Sequence, residues 1–325
     1  MALIIEKTQI NNFLEDLKRK FEVFDIRKDT LPPKQYFFPP KEEIFSYNKK
    51  TKRVSVPKPK KKALLFGLNL DDLEAMTQLD EVMRKPKTDN FYFQRKNRTL
   101  RIGLTDVSIK SAPPGGDLIF EKINSREYQV LVWTPQGKKI ARQYNKFFKK
   151  TCIERSRSVK NPKIKNYPDE SRPMKKLKEL LLDSEFLADA ISWSWKNDSK
   201  IWDELAEICL GCGICSYVCP LCYCFSTEDR AKIDGKECVR YRQWDACTLP
   251  EFSKISGGHN FHKTLKERYY NWFHHKFVRG YKEYGKSLCV ACGRCQKYCP
   301  AGINIETWIV KIIKDYEKHL LTPRS

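Results

Sequence analysis

Apolar and polar positions along the first half of the chain follow patterns typical of strands and of helices in turn. Short apolar runs bounded by polar residues predict strands at KKALLFGLN (61–69), TLRIGL (99–104) and EYQVLVWT (127–134). Between the first two runs, LDDLEAMTQLDEVMR (70–84) repeats apolar residues at helical spacing. Strands that alternate with helices predict an α/β or α+β domain over residues 1 to about 165.

Helical periodicity dominates the second half. It predicts helices at MKKLKELLLDSEFLADAISW (174–193), at IWDELAEI (201–208) and at the C-terminal segment IETWIVKIIKDYEKHLL (305–321). The C-terminal helix would carry one apolar side, which we expect to pack in the core rather than on a partner. That side consists of Trp308, Ile309, Ile312, Ile313 and Tyr316.

The pattern also argues against some classes of protein. No run approaches the roughly 18 apolar residues that a membrane helix needs, and the start MALIIEKTQINNFLEDLK does not resemble a signal peptide. No G-x-G-x-x-G follows a predicted strand, so a dinucleotide site is not expected. We therefore expect a cytoplasmic protein without a membrane span. Of two basic stretches, 49–62 and 138–165, the second is the expected linker between domains.

The cysteines carry the clearest chemical signal. Of thirteen, eight form two copies of C-x2-C-x2-C-x3-C-P, which is the spacing of bacterial-type 4Fe–4S proteins. Paired zinc knuckles are the alternative, but they give no reason for a third evenly spaced cysteine or for the trailing C-P. The eight residues are Cys209, Cys212, Cys215, Cys219, Cys289, Cys292, Cys295 and Cys299.

The spacing predicts two 4Fe–4S clusters with interleaved ligands. Three cysteines of one loop bind one cluster, while the cysteine before the proline reaches the other cluster. The predicted ligands are Cys209, Cys212, Cys215 and Cys299 for the first cluster, and Cys289, Cys292, Cys295 and Cys219 for the second. Glycines at 211, 213 and 293 suit backbone that approaches the cluster closely. Such clusters relay single electrons, so no catalytic residue is predicted.

Four further cysteines leave two interpretations open: a third metal site, or buried free thiols beside the clusters. A C-x-C pair followed by two isolated cysteines fits no standard template, which favours free thiols. The four are Cys222, Cys224, Cys238 and Cys247.

Three weaker signals have ordinary structural explanations that we favour. GYKEYGKS (280–287) matches the phosphate-loop pattern, but an aromatic, helix-like segment precedes it instead of a strand. Histidines in SGGHNFH and WFHHKF could relay protons, although histidines among aromatic residues usually satisfy local hydrogen bonds. Arg240, Arg242 and Trp244 could shield the first cluster or simply form a half-buried surface.

Charge suggests what binds the protein. The formal net charge is +22, and two oxidised clusters of about −2 each would lower it to about +18. Basic stretches can bind nucleic acid, and a nucleic-acid-binding protein with structural clusters is the alternative of a different class. Without a recognition motif, the charge more simply favours acidic partner subunits or an acidic ferredoxin.

Beyond the cysteines, the sequence resembles the iron–sulfur β subunit of cytoplasmic sulfhydrogenases, the bidirectional nickel–iron hydrogenases, and an iron–sulfur subunit of anaerobic sulfite reductase. The C-terminal half is the more specific match. The matching segments include LPPKQYFFPPKEEIF, ALLFGLNLDDLEAM, WDELAEICLGCGICSYVCPLCYCF, RQWDACTLPEFSKISGGHNF and CPAGINI. Where relatives carry R-P-C-D, this chain has Asn69–Asp72, so an additional cluster in the first domain is not expected.

The resemblance implies that the chain belongs to a larger complex. It would pass electrons between a flavoprotein that reacts with NAD(P)H and a catalytic nickel–iron or other metal subunit. Membership of anaerobic sulfite reductase or of a heterodisulfide-reductase-like complex is the alternative, and a free-standing carrier is disfavoured by the long first domain. The expected fold class is α+β, with an α/β docking domain over 1–165 and a helical, ferredoxin-like dicluster domain over 166–325.

Overall fold

A computed structural model describes residues 2–58, 62–109, 115–151 and 174–322. Contacts divide the chain into one unit of Met1–Phe38 with Pro57–Tyr167, and a second of Pro39–Val56 with Pro168–Ser325. Both contain helices and a sheet, so the α+β class is confirmed. The predicted domain boundary at 165 and Cys152 lie outside the described residues.

The strands are β1 (Ala2–Glu6), β2 (Glu22–Asp25), β3 (Lys41–Asn48), β4 (Arg53–Ser55), β5 (Ala63–Leu68), β6 (Thr99–Thr105), β7 (Leu118–Lys122), β8 (Glu127–Val132), β9 (Lys149–Thr151), β10 (Phe225–Ala231) and β11 (Glu237–Trp244). The helices are α1 (Lys7–Lys18), α2 (Leu70–Val82), α3 (Asn90–Lys96), α4 (Pro135–Gln143), α5 (Lys175–Leu180), α6 (Ser184–Lys196), α7 (Ile201–Ile208), α8 (Ile214–Tyr217), α9 (Leu265–Phe273), α10 (Gly280–Tyr284), α11 (Arg294–Lys297) and α12 (Ile305–Leu321). A π-helical turn, His274–Arg279, joins α9 to α10.

The first unit is built on a seven-stranded mixed sheet in the order β2-β5-β6-β7-β8-β1-β9. Its parallel strand β5 is buried on both faces, with Leu64, Leu65 and Phe66 at most 1% exposed. A strand covered on both faces reads as a continuous apolar run, which is why the sequence predicts it well. Helix α2 begins directly after β5. The Asn69 side chain caps its N-terminus by accepting a hydrogen bond from the Asp72 N–H at 2.8 Å.

The predicted linker, 138–165, includes residues that form regular structure in the first unit. Residues 135–143 form α4, capped by Thr134, with Ile140 and Ala141 buried in the core of the first unit. Residues 149–151 then form β9, which pairs antiparallel with β1. The many lysines of this stretch occupy exposed positions, so its basic composition conceals regular structure.

The second unit includes residues that the sequence assigns to the first domain. Strands β3 and β4 join β10 and β11 in a four-stranded antiparallel sheet in the order β10-β11-β3-β4. A buried ion pair joins two of these strands, with Arg242 Nε 2.8 Å from Glu42 Oε1. Pairing between residues 200 positions apart leaves no trace in the local pattern, and so the sequence does not reveal it.

Helices pack around the aromatic core of the second unit. The segment 174–193, predicted as one helix, forms two helices, α5 and α6. The Asp183 side chain caps the N-terminus of α6 by accepting a hydrogen bond from the Phe186 N–H at 3.0 Å. Predicted helices 201–208 and 305–321 are confirmed as α7 and α12. Ile309 and Ile312 of α12 are fully buried, so core packing of its apolar side is also confirmed. Among the residues described, no helix has the length and apolar character to cross a bilayer.

Candidate metal centre

The two cysteine loops have the same backbone conformation. In the first, Gly211 and Gly213 have φ of 63° and 78°, and α8 follows directly. In the second, Ala291 and Gly293 have φ of 52° and 73°, and α11 follows. Left-handed residues on either side of the second cysteine turn each loop around a concave space, as the expected glycines suggest.

The first space, called the first pocket, lies within the first cysteine loop. It is lined by Cys209, Cys212 and Cys215 from the first loop and by Cys295 and Cys299 from the second. Thr248 and Tyr269 close its sides. The pocket thus brings together the four residues predicted to bind one cluster.

The second space, called the second pocket, lies within the second cysteine loop. Its thiols are Cys289, Cys292 and Cys295 from the second loop and Cys219 from the first. Because each pocket is lined by cysteines of both loops, the arrangement supports the interleaved ligand assignment, which stays a prediction. Cys295 borders both pockets, so the two lie side by side.

The thiols are spread out rather than gathered on one point. Within residues 2–58, 62–109, 115–151 and 174–322, no three His, Cys, Asp or Glu side chains are placed to bind a single metal ion. A zinc site requires four donors around one ion, whereas a cubane binds each thiolate at a different iron atom.

Backbone amides point at the ligand sulfurs. The N–H groups of Gly211, Ala291 and Leu221 donate to the Sγ atoms of Cys209, Cys289 and Cys219, respectively, each at 3.4 Å. Hydrogen bonds to cysteine sulfur stabilise the negative charge of a cluster and raise its reduction potential. Both loops are therefore prepared for anionic sulfur.

Without metal, the cysteine thiols of the two pockets would remain protonated. Burial, with the neighbouring thiols, raises the pKa of Cys215 to about 12, and burial raises the pKa of Cys292 to about 11. Iron replaces these protons when it binds, so cluster assembly releases protons and supplies the positive charge that the sulfurs need.

Two buried polar groups at the pockets also suit a sulfide-rich cofactor. Thr248 lines the first pocket and Trp272 lines the second. In the described residues, the Thr248 hydroxyl and the Trp272 indole N–H are buried without a hydrogen-bond partner. An uncompensated buried donor costs about 1–3 kcal/mol, and a cluster offers sulfur acceptors beside both.

Lys276 is the functional residue that the sequence analysis missed. It lies in the π-helical turn with 5% of its surface exposed, and its Nζ is 3.2 Å from Cys219 Sγ. Burial opposes its charge, yet the nearby thiols of Cys219, Cys222 and Cys289 hold its pKa above the ordinary value. A buried cation requires an anion, which a thiolate-bound cluster provides. The available signal was a lysine inside the aromatic run WFHHKFV.

The four additional cysteines do not come together. Cys238 pairs with Ala231 at one end of the β10–β11 hairpin, whereas Phe225, next to Cys224, pairs with Trp244 at the other end. Six residues of strand separate these ends by about 20 Å. Cys224 and Cys247 are buried together, and a hydrogen bond from Cys247, opposed by burial and helped by His275, lowers the pKa of Cys224.

The weaker signals have structural explanations. Residues 280–284 of the phosphate-loop match form α10 behind a π-helical turn, so no strand precedes them. Asn260 holds a local turn through Ser253 and Pro250, and His275 contacts the Tyr223 hydroxyl at 3.0 Å. Arg240, Arg242 and Trp244 lie on β11 and line neither thiol pocket, which favours the simpler interpretation.

Comparison with known proteins agrees with this geometry. Residues 208–303 match a family described as a 4Fe–4S dicluster domain. Sulfhydrogenase 2 subunit beta of Pyrococcus furiosus is 27% identical over 308 residues, which cover 91% of this chain and 86% of that protein. No solved structure matches the chain.

These findings confirm the resemblance and the cofactor. The dicluster match spans both cysteine loops, and all eight cysteines of the two motifs fall within it. The chain therefore carries two 4Fe–4S clusters that transfer electrons, and its sequence is similar to that of a sulfhydrogenase β subunit over most of its length.

Proposed function

We propose that this chain is the electron-relay subunit of a cytoplasmic, multi-subunit oxidoreductase of the sulfhydrogenase type. It would pass electrons between a flavin subunit that reacts with NAD(P)H and a catalytic nickel–iron subunit. Two adjacent pockets lined by the cysteines of both loops carry the proposal, together with similarity to a sulfhydrogenase β subunit over 91% of the chain.

The ligand set favours a relay over catalysis. When all four ligands of a cluster are cysteines, no iron atom has a free coordination position for a substrate. We assign Cys209, Cys212, Cys215 and Cys299 to the first cluster, and Cys289, Cys292, Cys295 and Cys219 to the second. The shared border at Cys295 would keep the two clusters within easy reach of each other for electron exchange.

Exposure suggests where electrons enter or leave. Leu210 is 67% exposed beside the first pocket, Cys212 is exposed, and Ile208 is 42% exposed. An exposed apolar edge beside a cluster suits docking of a partner's redox centre. We assign this edge to electron exchange with another protein of the complex, and residues 1–165 to docking within the complex.

Anaerobic affinity purification of the full chain from its native cell tests the proposal. We expect a flavoprotein and a nickel–iron subunit to co-purify, and about eight iron atoms and eight sulfides per chain. A sirohaem protein would instead indicate sulfite reduction, and no partner would indicate a free-standing carrier. Bound zinc, or iron without a reducible electron paramagnetic resonance (EPR) signal, would contradict the relay itself.

A matched pair of variants tests the exposed edge in the purified complex. Leu210→Glu places a charge at the edge, and we expect it to slow electron transfer to the partner by about tenfold or more, as unfavourable contacts at interface centres do. Leu182→Glu is the control, because Leu182 is 88% exposed and lines neither pocket. Equal rates in both variants, with cluster content unchanged, would place electron exchange elsewhere.

A further inference from the structure

Lys276 connects the two cysteine loops. Its Nζ donates to Cys219 Sγ at 3.2 Å and to the Leu288 carbonyl at 3.0 Å. Its own carbonyl accepts from the Leu288 N–H at 2.7 Å. Cys219 ends the first loop and Leu288 precedes Cys289, so one side chain touches both chain segments that form the second pocket.

The surroundings of this ammonium group differ from those of three other buried cations, Arg242, Lys96 and Arg268. Arg242 and Lys96 each face a carboxylate, of Glu42 and Asp80 respectively. Arg268 donates to backbone carbonyls, including that of Thr248 at 3.0 Å. Lys276 contacts the Cys219 sulfur, the Leu288 carbonyl and the face of Trp272, whose centroid is 5.3 Å away.

The π-helical turn explains how a lysine comes to this position. A π-helix widens the backbone by one residue per turn, and such single turns often occur at functional sites. Here the turn places Lys276 between buried Trp272 and Phe277, at the wall of the second pocket. A lysine at a solvent-facing position of a regular helix would direct its charge to water instead.

We propose that Lys276 raises the reduction potential of the cluster bound by Cys219, Cys289, Cys292 and Cys295 more than that of the other cluster. The proposal rests on the ligand assignment made above. Lys276 lines the second pocket and does not line the first. It acts as a tuning residue and takes no part in bond chemistry.

The physical reason is the charge of the reduced cluster. Reduction adds one electron to a site that is already negative, and a buried cation and an N–H···S hydrogen bond both stabilise that added charge. Water screens such an interaction poorly in a buried site, whereas the first pocket has an exposed edge at Leu210 and Cys212. One charged residue therefore affects two otherwise similar clusters unequally.

Redox titration of the holoprotein, followed by EPR, tests this role. Lys276→Met removes both charge and donor, and Lys276→Gln removes the charge alone. We expect one of the two one-electron steps to fall in Lys276→Met, so that its ratio of reduced to oxidised cluster drops about tenfold, or 59 mV. The other step should fall by clearly less, and Lys276→Gln should show a smaller fall than Lys276→Met. The exposed Lys282→Met is the control and should match the wild type.

A purely structural clamp on Leu288 predicts a different result. Both steps would then stay in place while stability fell, and that outcome, or an equal shift of both steps, would overturn the proposal. A wild-type protein without two reducible clusters would instead contradict the proposed function.

A second measurement needs no variant. Wild-type protein labelled with 15N at the lysine side chains should show 15N hyperfine coupling in pulsed EPR of one reduced cluster. That cluster should be the one whose step moves in Lys276→Met. If Lys276→Met fails to assemble its second cluster, the absence of this coupling in wild-type protein would overturn the proposal.

Discussion

The two cysteine loops share their spacing and backbone but differ in their surroundings. The residue after the first cysteine is Leu210 in one loop and Val290 in the other, and these are 67% and 3% exposed. The first loop meets solvent at Cys212, whereas the second is enclosed by Trp272 and Lys276. A duplicated motif thus fixes the kind of cofactor, while the residues packed around each copy set what each cluster does.

Removal of single cysteine ligands would have the largest effect and would test whether each cluster binds cysteines of both loops. If each pocket borrows a cysteine, Cys299→Ala should abolish the same EPR signal as Cys209→Ala, and Cys219→Ala the same signal as Cys289→Ala. The reason is that a 4Fe–4S cluster loses its form when one of four ligands is missing. EPR of the reduced, anaerobically prepared variants measures this.

Cys238→Ala is the matched control for this set, because Cys238 lies at the far end of the β10–β11 hairpin. It should keep both signals. If Cys299→Ala and Cys289→Ala instead remove the same signal, each loop binds its own cluster and the interleaved assignment is wrong.

The loops also show how far the sequence determines the structure. Local patterns were sufficient to predict the cysteine loops, strand β5 and helix α12. The signals were the cysteine spacing, the apolar run of β5 and the periodicity of α12. The pairing of β3 with β11 and the contact of Lys276 with Cys219 were not predicted. Both join residues that are distant in the chain, and only the folded backbone brings them together.

A second buried lysine, Lys96, can be compared with Lys276 to show how the nearby anion affects the pKa of a buried ammonium group. Lys96, in the first unit, is 4% exposed, pairs with Asp80, and donates to the Met76 carbonyl at 3.2 Å. Burial nevertheless lowers its pKa from an ordinary 10.5 to about 8, although Asp80 opposes this shift. One carboxylate thus compensates incompletely for burial of an ammonium group.

This shift gives a pH prediction with a definite sign. Between about pH 8 and pH 10.5 the unfolded chain holds the proton that folded Lys96 has lost, so stability should rise with pH. The rise should reach about 3 kcal/mol relative to Lys96→Met, which cannot titrate. Urea unfolding of the first unit, followed by peptide-resolved proteolysis at several pH values, measures it. The exposed Lys122→Met should keep the wild-type slope, and a flat difference for Lys96→Met would contradict the low pKa.

Gly213 tests whether the first loop depends on its left-handed turn. A Cβ there would lie 2.8 Å from Ala246 Cβ, in addition to the strain of φ at 78°. We expect Gly213→Ala to cost about 2.5 kcal/mol, and Gly285→Ala about 1 kcal/mol, because Gly285 has φ of 69° but open space around it. Thermal loss of cluster absorbance measures the difference. Equal losses would show that strain alone, and not contact with Ala246, constrains the loop.

The smallest effect concerns the loop position that differs most in exposure. Val290→Ala removes two methyl groups from a buried site, which should cost about 1.5 kcal/mol, whereas Leu210→Ala should change stability by less than about 0.5 kcal/mol. Thermal loss of cluster absorbance in both variants measures this. If Leu210→Ala proved as costly as Val290→Ala, the first loop would be as enclosed as the second. The two clusters would then meet similar surroundings, and electron exchange at the Leu210 edge would lose its support.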